Sequence, residues 1–251
     1  MNDTSSFPDH FSKVASGYAR HRPRYPAALV EFLAEIAPAR EVAWDCGCGS
    51  GQLSAGLAGR FDRVIATDAS AEQLAKATPH PKIEYRCATA EKSGLPERVV
   101  DAAIAAQAAH WFDLPAWYGE VRRVTKAGSI VAAIAYGNVQ LEGDVGTIVD
   151  RFYGEIAGRY WSPHRKLVDE GYRSLAFPFE EIEAPVLEMR ADWNLADFTG
   201  YVMTWSAVQA LVKAEGEAPI DALRAELGRA WGPADARRTV RWPISMRVGR
   251  L

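Results

Sequence analysis

A chain of 251 residues with 48% apolar and 24% charged residues is long enough to bury a full core and too apolar for wholesale disorder. Its 29 Lys and Arg stand against 32 Asp and Glu, and the net charge of −3 argues against a protein that lives on nucleic acid, where a basic excess or stripe is usual. No apolar run approaches the ~20 residues of a membrane-spanning helix.

The opening MNDTSSFPDHF is polar and holds no apolar leader core, so the expected compartment is the cytoplasm. The Pro-rich stretch 21–26 follows, with His21, Arg22 and Arg24 reading as a solvated charge cluster. Leu29, Phe32, Leu33 and Ile36 then share one helical face. From Val42 onward, short apolar runs predict strands at 41–46, 63–67, 83–86, 101–105 and 129–134, separated by helical segments. The gap between the third and fourth runs is too short for a long helix. Leu114, Trp117, Tyr118, Val121 and Val124 form the helix before the fifth strand. This alternation predicts an α/β, Rossmann-like fold: a mostly parallel seven-stranded sheet with helices on both faces.

Beyond Tyr136 the alternation stops. Val145, Ile148, Val149, Phe152 and Ile156 predict one helix, and an aromatic-rich irregular stretch follows. Asn194 with Asp197 predicts the start of another helix, whose one face carries Leu195, Phe198, Val202 and Trp205. These segments read as a helical cap over the sheet's ligand edge. A sixth strand is expected near 185–190. A last strand is expected through Val240, Trp242, Ile244, Met246 and Val248, with a bulge or unpaired position at Pro243.

The most informative segment is Val42-Ala43-Trp44-Asp45-Cys46-Gly47-Cys48-Gly49-Ser50-Gly51. A strand ends in a carboxylate, and glycines recur at alternate positions before a helix starting near Gln52. Glycine lets the backbone turn sharply and lets a ligand approach without striking a Cβ. A dinucleotide-binding turn would want its third glycine at position 52, where Gln52 stands, and the spacing is D-x-G-x-G-x-G instead. Asp68 closes the apolar run Val64-Ile65-Ala66-Thr67, where an acid that holds ribose hydroxyls belongs. It equally suits the N-cap of the segment 71–77, as does Ser70. Together these features favour an adenosyl ligand. Cys46, Cys48 and Cys87 read as small buried residues, because an odd count speaks against disulfides and no metal-ligand spacing accompanies them.

These residues resemble the class I methyltransferases that use S-adenosylmethionine, especially their small-molecule "type 11" branch with the trans-aconitate methyltransferase-like enzymes. The run Gln107-Ala108-Ala109-His110-Trp111-Phe112 and the leading Phe11-Ser12, Tyr18 and Arg22-Pro23-x-Tyr25-Pro26 are similar to segments of that branch. The resemblance covers about the first 137 residues well. It implies that S-adenosyl-L-methionine is held by Tyr18, Asp45, Gly47, Cys48, Gly49, Gly51, Asp68, Ala69, Gln73, Thr89, Ala90, Glu91 and Gln107. Trp111, Tyr136, Tyr201 and Trp205 are the candidate contacts for a small-molecule substrate. Residues 1–137 would form an N-terminal cover helix and the cofactor-binding core, 138–181 a cap insertion, and 182–251 the remaining strands with a cap helix near 194–211.

A sulfonium methyl is already activated, so the chief task is to hold nucleophile, methyl and sulfur in line. His110 is the candidate base for a hydroxyl substrate, with a structural role as the alternative; a carboxylate or thiolate needs none. No metal, nucleic acid or membrane partner is expected. Two rival functions stay open: a non-catalytic adenosyl-binding module and a nicotinamide-dependent oxidoreductase.

Overall fold

The computed structural model describes residues 23–251. In chain order its helices are α1 (Ala27–Ile36), α2 (Gln52–Leu57), α3 (Ala71–Leu74), α4 (Leu114–Val124), α5 (Asp144–Arg151), α6 (Arg165–Asp169), α7 (Leu195–Val202), α8 (Ser206–Glu215) and α9 (Ala218–Trp231). Its strands are β1 (Val42–Cys46), β2 (Arg63–Asp68), β3 (Ile83–Cys87), β4 (Val100–Ala106), β5 (Thr125–Tyr136), β6 (Glu180–Glu181), β7 (Leu187–Trp193) and β8 (Arg238–Arg250). No described helix is long and apolar enough to cross a membrane.

The chain divides into two compact units. One holds 23–140, 163–191 and 239–251; the other, among the described residues, holds 141–162 and 192–238. The stretch 163–181, expected in the insertion, thus belongs with the sheet.

The sheet runs β3-β2-β1-β4-β5-β8-β6, and β7 also pairs with β8. β1 to β5 are parallel, while β8 is antiparallel to β5 and β6 is antiparallel to β8. The expected sheet of seven has eight strands because β6 and β7 both pair with β8. Pairing of β8 with β5 starts at Ile244, immediately after Pro243, whose carbonyl accepts the Gly137 N–H at 3.3 Å. The proline that cannot donate therefore lies just outside the ladder.

β4 and β5 are built largely from alanine, and Ala102, Ala103, Ala105, Ala132, Ala133 and Ala135 are fully buried. Such small residues leave room for large partners, and Trp44, Trp117, Tyr118 and Tyr172 fill it in one cluster. α4 starts on Asp113, whose Oδ1 accepts the Ala116 N–H at 3.2 Å. β1 lies between β2 and β4, and the chain leaves toward opposite sides from there. This is the switch point at which open parallel sheets form a ligand crevice beyond their carboxyl ends.

The second unit is helical and differs from the expectation in three places. α5 passes into a π turn over Phe152–Ile156, closed by the Ala157 N–H to the Phe152 carbonyl at 2.8 Å, instead of staying regular. The helix capped by Asn194 and Asp197 ends at Val202. Thr204 folds back on the Tyr201 carbonyl through both its N–H and its hydroxyl, so Trp205 caps α8 rather than continuing α7. α9 has no counterpart among the expected elements, although its buried Ile220, Leu223, Leu227 and Trp231 carry helical spacing.

Candidate functional site

The Cys46–Gly51 loop leaves β1 under tight backbone control. The N–H groups of Gly47 and Cys48 both donate to the Thr67 carbonyl, at 2.8 and 3.0 Å, and the Gly51 N–H donates to the Cys48 carbonyl at 2.9 Å. Gly47, Gly49 and Gly51 have φ of +68°, +56° and +81°, the left-handed region that favours glycine. Their surroundings differ. A Cβ at Gly47 would stand 2.6 Å from the Ala108 Cβ, and one at Gly51 would strike the Tyr85 hydroxyl. At Gly49 a Cβ would meet nothing within 4 Å, so the loop offers bare backbone to open space there.

Asp45 is buried at the tip of β1 and accepts the Ser54 hydroxyl at 2.5 Å. Burial pushes its carboxyl up to about 7; the Ser54 hydrogen bond opposes this and the charge of Asp68 adds to it. Asp68, half-buried at the end of β2, receives the Gly49 N–H on one oxygen and the Ser70 N–H on the other, each at 2.8 Å. A carboxylate offers about four acceptor positions, so capacity for two ribose hydroxyls remains. The Asp68 carboxylate also fixes the loop it stands beside. Ser70 Oγ takes up the capping role, accepting the Gln73 N–H at 3.3 Å. Ala69 and Gln73 thus follow directly on the Asp68 turn.

Cys46 and Cys48 stay thiols, because burial raises both. Of the three cysteines expected to be buried, Cys46 is; Cys48 is half-buried, and Cys87 is exposed at the end of β3, where its Sγ lies 3.7 Å from the Ala69 carbonyl. β3 is the edge strand of the sheet, so its last residue lacks a neighbour on one side, and composition alone does not show that.

The loops after β3 and β4 complete the edge. Thr89 pairs with Lys92 across a short turn that buries Ala90, and Glu91 accepts the Asp113 N–H at 3.0 Å. Gln107 holds φ of +55° and donates from Nε2 to the Tyr136 carbonyl at 2.8 Å, tying the tips of β4 and β5 together. His110 Nδ1 lies 2.8 Å from the Tyr172 hydroxyl, and its ring lies 5.0 Å from that of Trp111. Burial, with Arg165 and His164 adding their charge, pushes His110 down to about 3, so its ring is neutral.

Asp45, the glycines, Asp68, the 89–91 turn, Gln107, His110, Trp111 and Tyr136 all belong to the sheet unit and follow the carboxyl ends of its strands. Tyr18 lies outside the described residues. Tyr201 and Trp205 belong to the helical unit, where both are buried and meet edge to face at 5.7 Å. Ser54, Tyr85 and Tyr172 are contributors that sequence reasoning did not single out. Ser54, one helical step past the glycine loop, was the most legible of them; Tyr172 had no local signal.

The residues fit S-adenosylmethionine. Asp45 and Asp68 put two carboxylates beside a bare backbone at Gly49, and among the described residues no Lys or Arg shifts Asp45. A cationic ligand suits this surrounding, whereas a dinucleotide's pyrophosphate would be repelled. Asp68 would hold the ribose, the loop at Gly49 the methionine part, and the 89–91 turn the adenine.

Known proteins point the same way. Residues 44–133 match the model of the methyltransferase domain family. A Dictyostelium discoideum protein named as a candidate methyltransferase is 31% identical over 235 residues, covering 92% of this chain and 89% of its own length. A Mycobacterium tuberculosis protein named as an uncharacterized methyltransferase is 31% identical over 179 residues, 71% of this chain and 69% of that protein. The solved structure of a candidate type II methyltransferase from Anaeromyxobacter dehalogenans is 48% identical with a TM-score of 0.87, covering 91% of this chain and 97% of that one. The chain therefore belongs to the methyltransferase family, enzymes of the Rossmann-like fold whose methyl donor is S-adenosylmethionine.

Proposed function

We propose that this methyltransferase acts on a small molecule that binds beside the tip of β4, around His110 and Trp111. The supporting observation is the setting of His110: a half-buried neutral imidazole in the loop after a parallel strand, with the rings of Trp111 and Tyr172 beside it. A strand edge lined by aromatic rings with a few placed polar groups suits a small ligand. The net charge of −3 agrees with that preference.

When bound, S-adenosylmethionine supplies a methyl already activated by its sulfonium. The chain's own work is placement. Asp68 and the Gly49 backbone fix where the donor lies, and Gln107 holds β4 and β5 together beneath the acceptor. Trp111 and Tyr136 are the candidate walls of the acceptor site.

The test is a panel of small carboxylates, phenols, thiols and amines, assayed for release of S-adenosylhomocysteine above the rate without acceptor. Turnover with one class is the expected outcome. Transfer to RNA or to a protein, with none to the panel, would overturn the small-molecule reading.

A further inference from the structure

We propose that Tyr172 is a positioning residue that fixes His110 in the tautomer carrying its proton on Nε2, so that His110 acts as a hydrogen-bond donor and not as a base. The proposal rests on the reading above that the acceptor binds beside the tip of β4.

Tyr172 is fully buried, and its hydroxyl lies 2.8 Å from His110 Nδ1. A buried hydroxyl needs an acceptor for its proton, and Nδ1 is the acceptor within its reach among the described residues. Burial raises the phenol, so it keeps that proton, and the His110 backbone N–H opposes the rise by facing the phenol oxygen. With Nδ1 accepting, the single proton of a neutral imidazole must sit on Nε2. Burial keeps His110 neutral; Arg165 and the titratable His164 face it, and positive charge on either disfavours a second proton.

The placement of Tyr172 is over-determined. After α6 the Gly171 N–H donates to the Val168 carbonyl at 2.9 Å and the Tyr172 N–H to the Leu167 carbonyl at 2.8 Å, the paired bonds of a Schellman ending. Gly171 takes φ of +61°, as that ending requires, but Tyr172 follows at +59°, a region that bulky residues rarely occupy. Arg247 of β8 holds the segment from the other side. Its Nη1 donates to the carbonyls of Tyr172 and Leu175 at 3.2 and 2.9 Å, and its guanidinium lies 5.0 Å from the centre of the Phe177 ring. A backbone held in an unfavourable conformation by so many contacts is the pattern of a residue placed for its side chain.

Nε2 has no partner among the described residues, so it is the ring atom free to meet an acceptor molecule. Transfer forms a bond from the acceptor atom to the methyl carbon and breaks the carbon–sulfur bond. The electron pair of that bond stays on sulfur. The acceptor atom enters already deprotonated, as a carboxylate or thiolate does, or gives its proton to water; His110 takes none, and its N–H orients the acceptor.

The test is nitrogen NMR on protein labelled at histidine, with His110→Gln used for assignment. The expected spectrum has the His110 proton on Nε2 and no titration of this ring between about pH 5 and 8, the range in which an unperturbed histidine changes charge. A proton on Nδ1, or titration within that range, would overturn the proposal. Tyr172→Phe should lose the fixed tautomer and lower kcat roughly 2- to 12-fold, the weight of one hydrogen bond. Should that variant not fold, the wild-type spectrum still decides. His110→Gln, which keeps an N–H donor near the place of Nε2, should retain more turnover than His110→Ala. Equal loss in both variants would mean a base and overturn the proposal. Unchanged kcat and KM in His110→Ala would instead remove His110 from the acceptor site and overturn the reading on which the proposal rests.

Discussion

Asp45→Asn should raise the stability of the ligand-free protein at pH 8 while weakening its affinity for S-adenosylmethionine. Asp45 is buried with no cation partner among the described residues and is pushed up from 3.8 to about 7. A carboxyl raised in the folded state favours folding fully below its unfolded value, and that contribution is lost as pH rises through about 7. Ionised at pH 8, Asp45 therefore costs stability, on the order of 4 kcal/mol at ~1.4 kcal/mol per pK unit. Asparagine removes that cost and can still accept the Ser54 hydroxyl. Scanning calorimetry should show a higher Tm for the variant at pH 8 and almost no difference at about pH 4, where the carboxyl is already neutral in the folded protein. Binding should move the other way, losing about 1–3 kcal/mol because a charged partner of the ligand is gone. The same linkage makes wild-type affinity fall as pH drops below about 7, since the carboxyl must then lose a proton to receive a cation. A variant less stable than wild type at pH 8 would mean that Asp45 has a cation partner in the free protein.

The loop glycines should separate folding from binding. Gly49→Val places a side chain in open space, so its cost to the fold is the left-handed backbone, about 1–2 kcal/mol. The same side chain occupies the ground that the cofactor needs, and affinity should fall at least about 100-fold, or some 2.7 kcal/mol. Gly47→Ala should do the reverse. Its Cβ would stand 2.6 Å from Ala108, so strain and overpacking together should cost about 2–5 kcal/mol of stability. Denaturant melts and cofactor titrations on the two variants check this. Normal affinity in a folded Gly49→Val protein would reduce the loop to a turn.

The parts of the molecule that were legible in the sequence obey local rules. β1, β2, β4 and β5 are buried on both faces and therefore read as apolar runs, and the glycine loop announces itself because φ near +56° to +81° strongly favours glycine. Asp68 was legible for the same reason, as a strand's last residue. What was not legible depends on partners far away along the chain. His110 was read without a partner because Tyr172 is 62 positions later, in a stretch without periodicity. Trp205 keeps the spacing of the α7 face yet caps α8, since a threonine folding onto its own turn ends the helix. α9 carries a helical pattern that starts with Pro219 in its first turn, where proline is tolerated.

The most direct test of the site is a calorimetric titration of S-adenosylmethionine into the wild-type protein and into folded Asp68→Ala. Asp68 holds the Gly49 and Ser70 N–H groups and is positioned for the ribose, so the wild type should bind at a single site and the variant should lose about 1–3 kcal/mol. Equal affinity in the two proteins, or no binding by the wild type, would contradict the assignment of this edge of the sheet to the cofactor.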